Sequence, residues 1–107
     1  MSTSTRVTAI DMVDVVDETM EFTLVDLCRA AHAPEEQVRV WVVEGVLSPR
    51  GASPEEWRFA GGALRRARLA RTLGQELEIN APGIALALEL MDEIEALKAS
   101  LRRSGAR

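Results

Sequence analysis

From residue 22 onward apolar positions recur every three or four residues, and the breaks in that rhythm divide the chain into four helices. Thr23, followed three residues later by Asp26, has the layout of an N-cap with an acidic partner in the first turn, and Phe22 stands where it can staple against Leu27. This predicts a first helix over about 23–31, broken by His32, Ala33 and Pro34. Pro34 suits the first turn of a second helix, over about 34–44, in which Glu35 and Glu36 complement the positive end of the dipole. Val38, Trp41 and Val42 share one face of it, and Gly45 is its natural stop. Residues 47–59 lose the helical period. Arg50-Gly51-Ala52-Ser53-Pro54 is rich in turn formers and Trp57-Arg58-Phe59 alternates apolar with charged, which predicts a small β-hairpin wing. Leu64, Leu69 and Leu73, with Ala63, Ala67 and Ala70 between them, predict a third helix that ends at Gly74 and carries Arg65, Arg66, Arg68 and Arg71 mostly on its solvated side.

After a polar link, Gln75 to Asn80, Pro82 opens the longest helix, which reaches about Arg103. Ala87, Leu90, Ile94, Leu97 and Leu101 are spaced 3, 4, 3 and 4 apart, the spacing of a coiled-coil seam, and Ile84, Leu88 and Met91 widen the stripe at its N-terminal end. The first half of this helix is therefore expected to pack on its own domain. The second half presents a leucine stripe that a chain of this size can hardly cover, so a homodimer through Leu90, Ile94, Leu97 and Leu101 is the expected solution. Ahead of residue 22 the pattern is weaker. Met1 to Thr5 is polar, and residues 7–16 mix β-branched side chains with Asp11 and Asp14, so residues 1–21 read as an arm or a short edge strand. The expected organisation is thus an arm over 1–21, a winged helix-turn-helix over 22–74, and a C-terminal dimerisation helix over 80–103 packed on the same domain.

Composition narrows what such a fold can do. At 107 residues there is room for one modest core. No apolar run approaches the ~20 residues that span a bilayer, and Met1 to Arg6 lacks the pattern of a secretory signal, which points to the cytosol. Cys28 is the only cysteine and His32 the only histidine, so neither a disulfide, a zinc ligand set nor a Cys/His catalytic pair is available; enzyme chemistry and a cofactor are not expected. The net charge of −4 is unevenly spread. Over residues 22–59, four arginines stand against six acids, leaving −2 on the region that would have to meet phosphates. A recognition helix places cations and amides at its exposed N-terminal end, whereas this one places Glu35 and Glu36 there, and the wing ends in Glu55-Glu56.

The order of elements resembles the MerR-like regulators, and several segments resemble the CbpM chaperone-modulator family within that plan. Pro82-Gly83-Ile84-Ala85-Leu86-Ala87-Leu88-Glu89-Leu90-Met91-Asp92-Glu93-Ile94 is the most specific; Trp57-Arg58-Phe59 and Phe22-Thr23 are also similar, and the match spans about 22–98. The acidic segment Asp11 to Glu21 is longer than the family pattern. The resemblance implies a fold that is mostly α, and a partner: the J-domain of a DnaJ-like curved-DNA-binding co-chaperone, whose work with Hsp70 the chain would inhibit by masking the surface Hsp70 needs. The competing expectation is a dimeric MerR-like transcriptional regulator, and a third is a structural partner without regulatory effect.

Because the J-domain surface used by Hsp70 carries a basic helix, the candidate partner-binding residues are Glu35, Glu36, Glu44, Glu89, Asp92 and Glu93. The same acids also suit dipole caps and solubility. Trp41, Trp57 and Phe59 read as core, Cys28 as a small hydrophobe and His32 as a helix-terminal polar residue. The arginine run reads either as a solvated face or as a site for an acidic partner.

Overall fold

The computed structural model describes residues 20–105, and every structural statement below concerns those residues. They form β1 (Glu21–Phe22), α1 (Leu24–Ala31), α2 (Glu35–Val43), a single 3-10 turn (Pro54–Glu56), β2 (Phe59–Ala60), α3 (Gly62–Glu76) and α4 (Ala81–Arg103). The edge strand expected over 7–16 lies outside the described residues.

Local chemistry sets the helix limits. At the start of α1 the Asp26 N–H donates to Thr23 Oγ1 at 3.1 Å and the Thr23 N–H donates to Asp26 Oδ2 at 3.3 Å, so the capping box is complete. At its end the chain turns through His32 at φ 56°, with the His32 N–H donating to the Arg29 carbonyl and the Ala33 N–H to the Cys28 carbonyl. Helix α2 closes in the same way. Gly45 sits at φ 88°, the Gly45 N–H reaches the Val42 carbonyl at 3.1 Å, and the Val46 N–H reaches the Trp41 carbonyl at 2.8 Å. Both ends are Schellman motifs, the first with a histidine in the left-handed position that glycine usually takes. Pro34 is the N-cap of α2, one place ahead of the expected first turn, because its extended ψ of 157° precedes the helix.

The wing is present but short. Arg50 and Arg58 exchange both backbone hydrogen bonds, at 3.0 and 2.9 Å, and form its one bridged pair. Beyond that bridge the returning chain pairs with a strand from ahead of α1: β1 and β2 run antiparallel with Phe22 opposite Phe59 and Glu21 opposite Ala60. Both phenylalanines are buried, and Trp57 meets Phe59 edge-on with centroids 6.0 Å apart. Phe59 thus belongs to the core as expected, whereas Trp57, also expected there, is only partly buried and packs against it.

Two expectations need correction. Helix α3 does not stop at Gly74 but runs to Glu76, and the turn that ends it passes through Glu78 at φ 55°. A Cβ at Gly74 would lie 3.4 Å from Ile84 Cδ1, so the glycine marks where α3 passes close to α4. Met91, expected to widen the packed part of α4, is exposed. The packed part ends one turn earlier: Asn80 Oδ1 caps the helix by accepting from the Gly83 N–H at 2.9 Å, Ile84 and Leu88 are buried, and Glu89 through Lys98 are all exposed. The second half of α4 projects from a body built on Phe22, Leu27, Val38, Trp41, Phe59 and Leu64, and the described molecule measures 48 × 31 × 30 Å.

Candidate functional site

The six candidate acids fall into three places. Glu44, Glu89 and Asp92 line an open cleft of about 640 Å³ between the end of α2, the start of α3 and the middle of α4, with Val46, Leu47, Ala63 and Ala85 among its apolar walls. Glu44 and Glu89 have no ion-pair partner among the described residues, and the negative end of the α2 dipole opens into the same space. Asp92 is held inside the chain: both its carboxylate oxygens accept from Arg66 Nη1, at 2.9 and 3.1 Å. Glu35 and Glu36 lie at the far end of α2, about 13 Å away at 1.5 Å per residue. Glu35 is engaged there by Arg39, whose Nη2 and Nε donate to its Oε2 at 2.6 and 2.9 Å. Glu93 is exposed on α4 beside Asp92, outside the cleft lining.

Three of the four α3 arginines are not on a solvated face. Arg66 Nε donates to the Val46 carbonyl at 2.8 Å and Arg71 Nε to the His32 carbonyl at 3.0 Å, while Arg68 Nη2 reaches the Ala30 carbonyl at the longer distance of 3.5 Å. All three carbonyls lie at the C-terminal ends of α1 and α2, where intrahelical partners run out and the dipole is negative. Cations from α3 therefore cap two other helices and are spent on the protein itself. The small residues Ala67 and Ala70, both fully buried, let α3 come close enough for this. That alanine spacing beside arginines was the one available signal for it in the sequence.

A further surface was not visible from the inward face of α2. Glu36, Val40 and Val43 stand at i, i+4 and i+7, so they form one outward ridge, on which Val40 is 42 % and Val43 81 % exposed. On α4, Leu90, Ile94, Leu97 and Leu101 are each at least half exposed, as is Leu86, so the heptad stripe is uncovered in the single chain.

The remaining chemistry is sparse. Among the described residues no group of three or more His, Cys, Asp or Glu side chains is placed to hold a metal ion, and no helix is long and apolar enough to cross a membrane. Partial burial, and after it the charge of Glu35, raise the pKa of the Cys28 thiol above its ordinary value, which favours the protonated thiol.

Residues 22–104 match the family described as MerR HTH family regulatory protein. The chain is 36 % identical over 88 residues to the chaperone modulatory protein CbpM of Coxiella burnetii (strain Dugway 5J108-111), covering 82 % of this chain and 83 % of that protein. It is 43 % identical over 72 residues to the protein of the same name from Pseudomonas putida (strain W619), covering 67 % and 71 % of the two chains. The counterpart from Pseudomonas entomophila (strain L48) is 40 % identical over 72 residues, with the same coverage.

Proposed function

The chain belongs to the CbpM chaperone modulators, within the MerR-type helix-turn-helix proteins, and from that premise we propose that it binds the J-domain of a DnaJ-like curved-DNA-binding co-chaperone in the cytosol and inhibits that protein's work with Hsp70. The observation that carries this reading is the replacement of cations by acids on the helix-turn-helix surface. Glu44 and Glu89 line the cleft, Glu36 stands on the outward ridge of α2, and the arginines that a phosphate backbone would need are turned inward onto helix ends. A basic helix fits such a surface; a polyanion does not. In this reading residues 22–74 form the docking body, the second half of 80–103 pairs with a second copy, and the role is one of binding, with no catalysis and no cofactor.

The direct test is the ATPase rate of Hsp70 stimulated by the J-domain co-chaperone. Added chain should depress it in proportion, with the effect complete near one equivalent. A rate that stays at its stimulated value in a tenfold excess of chain would sink the proposal.

Charge reversal locates the contact. Replacing Glu44 and Glu89 by Lys, or Glu35 and Glu36 by Lys, should slow association with the J-domain about tenfold or more at low salt, because charges at a rim act mainly on encounter. The effect should shrink at 1 M salt, where the Debye length is about 3 Å. Glu55→Lys with Glu56→Lys, in the wing, is the control. Surface-binding kinetics at two salt concentrations measure all three, and a wing pair that alone abolishes binding would move the docking face. Asp92→Lys with Glu93→Lys is less clean, since it also removes the carboxylate that Arg66 holds.

The family's helix-turn-helix plan favours a second reading, that of a dimeric MerR-like transcriptional regulator. We expect no sequence-specific DNA binding at about 150 mM salt. A gel-shift selection from random duplexes that enriches one palindromic motif at that salt would reverse the order of the two readings.

A further inference from the structure

The outward ridge of α2 carries apolar side chains that the fold does not use. Four of its nine residues are valines, a residue whose branched Cβ makes it a poorer helix former than alanine or lysine. Val38 is buried and Val42 packs against the core, but Val40 and Val43 point the other way, and Val43 keeps 81 % of its surface in water. Both cost helix propensity, yet Val43 buries little in this chain and Val40 still leaves 42 % of its surface in water. Acids bracket them: Glu36 precedes Val40 by one turn, and Glu44 follows Val43 and also lines the cleft that leads to Glu89. The only cation on the helix, Arg39, is held by Glu35 at 2.6 Å.

We infer that Val40 and Val43 are the apolar anchors of a docking ridge for a helix of another protein that carries apolar residues flanked by lysines or arginines. The inference rests on the proposed J-domain partnership and names the residues that hold the partner once it has arrived. Charge decides between occupants. Duplex DNA would set its phosphates against Glu36 and Glu44, where no free cation waits. A second copy docked through the same face would bring those acids against themselves, because a two-fold contact pairs a surface with its own image. A cationic amphipathic helix meets neither obstacle, and a ridge of about 11 Å matches roughly two turns of it. The acidic rim then raises the rate of encounter, while the desolvated valines slow escape.

The test is binding of the J-domain co-chaperone to wild-type chain, to V40A/V43A, to V43K and to V25A, with association and dissociation measured separately and far-UV circular dichroism as the check on folding. Alanine is the better helix former and both valines are exposed, so V40A/V43A should keep its helix content. V43K places a cation at the C-terminal end of the helix, which the dipole favours. V40A/V43A is expected to dissociate about tenfold faster with association within about twofold of wild type, and V43K to bind more weakly still. V25A alters an exposed valine on α1 outside the ridge and is expected to behave as wild type. If the co-chaperone binds wild-type chain and V40A/V43A equally well, the ridge is wrong and the partnership stands. The ridge also fails if V25A loses as much as the ridge variant. If wild-type chain does not bind the co-chaperone at all, both fail together.

Discussion

Leu97→Glu combined with Leu101→Glu is expected to leave the protein a monomer of about 11.7 kDa, where the proposed pairing of wild-type chains gives a dimer of twice that mass. Leu90, Ile94, Leu97 and Leu101 repeat at heptad spacing and are half exposed or more on a helix whose second half leaves the body of its own chain. A fully covered leucine contributes about 1.5–3 kcal/mol relative to an exposed one, so pairing two stripes gains a few kcal/mol per chain. That gain must exceed the loss of translational and rotational freedom, roughly 4–15 kcal/mol for the pair. The seam is therefore marginal, and two carboxylates in its C-terminal half, buried without partners, should overwhelm it. Sedimentation equilibrium reads the mass directly. Far-UV circular dichroism should show a parallel loss of helix, because a short helical arm without a partner is barely stable in water. A double variant that still sediments at the dimer mass would place the dimer contact elsewhere.

Loss of Arg66 should be the most damaging change of a charged residue to the fold. Its guanidinium ties α3 to the Val46 carbonyl at the end of α2 and to Asp92 on α4, so one side chain sets how three helices meet around the cleft. Arg66→Met keeps most of the apolar stem but leaves that carbonyl unsatisfied beside a buried residue, at a cost of about 1.5–3 kcal/mol for hydrogen bonds made by a charged donor. The melting temperature should fall by roughly 10 °C, at about 4–8 °C per kcal/mol for a domain of this size. Asp92→Asn should cost less than about 1 kcal/mol, since the ion pair is largely exposed on the carboxylate side. Arg66→Lys should fall between the two, because one ammonium cannot serve the carbonyl and the carboxylate in the same fork geometry. Equal melting temperatures for Arg66→Met and wild type would mean that the clamp contributes nothing.

The caps were legible residue by residue. Thr23 with Asp26 and Gly45 act within three or four positions of themselves, and the structure places each where the pattern did. His32 was legible only as a breaker, since a histidine at positive φ has no distinguishing spacing, and Gly74 was misread as a stop because a glycine within a helix and a terminal glycine look alike in a string of letters. For the candidate acids, the types were legible but not their grouping. Glu44 and Glu89 are 45 positions apart along the chain, and only the packing of α2, α3 and α4 brings them to one cleft.

By itself the sequence determined the helices, the heptad stripe and the family, because caps, turn residues and periodicity are encoded over a turn or two of chain. It also set the sign of the helix-turn-helix surface, which is a sum over residues and needs no geometry. Tertiary structure alone decided where the arginines go and what β2 pairs with. Arg66 finds Val46 across 20 residues, Asp92 across 26, and Arg71 finds His32 across 39. No local pattern marks a carbonyl as unsatisfied until the helix that bears it has ended, and none marks a guanidinium as its partner until two helices cross. The exposure of Val40 and Val43 was settled in the same way: periodicity shows that a helix has two faces, but which apolar residues are covered depends on what packs against it.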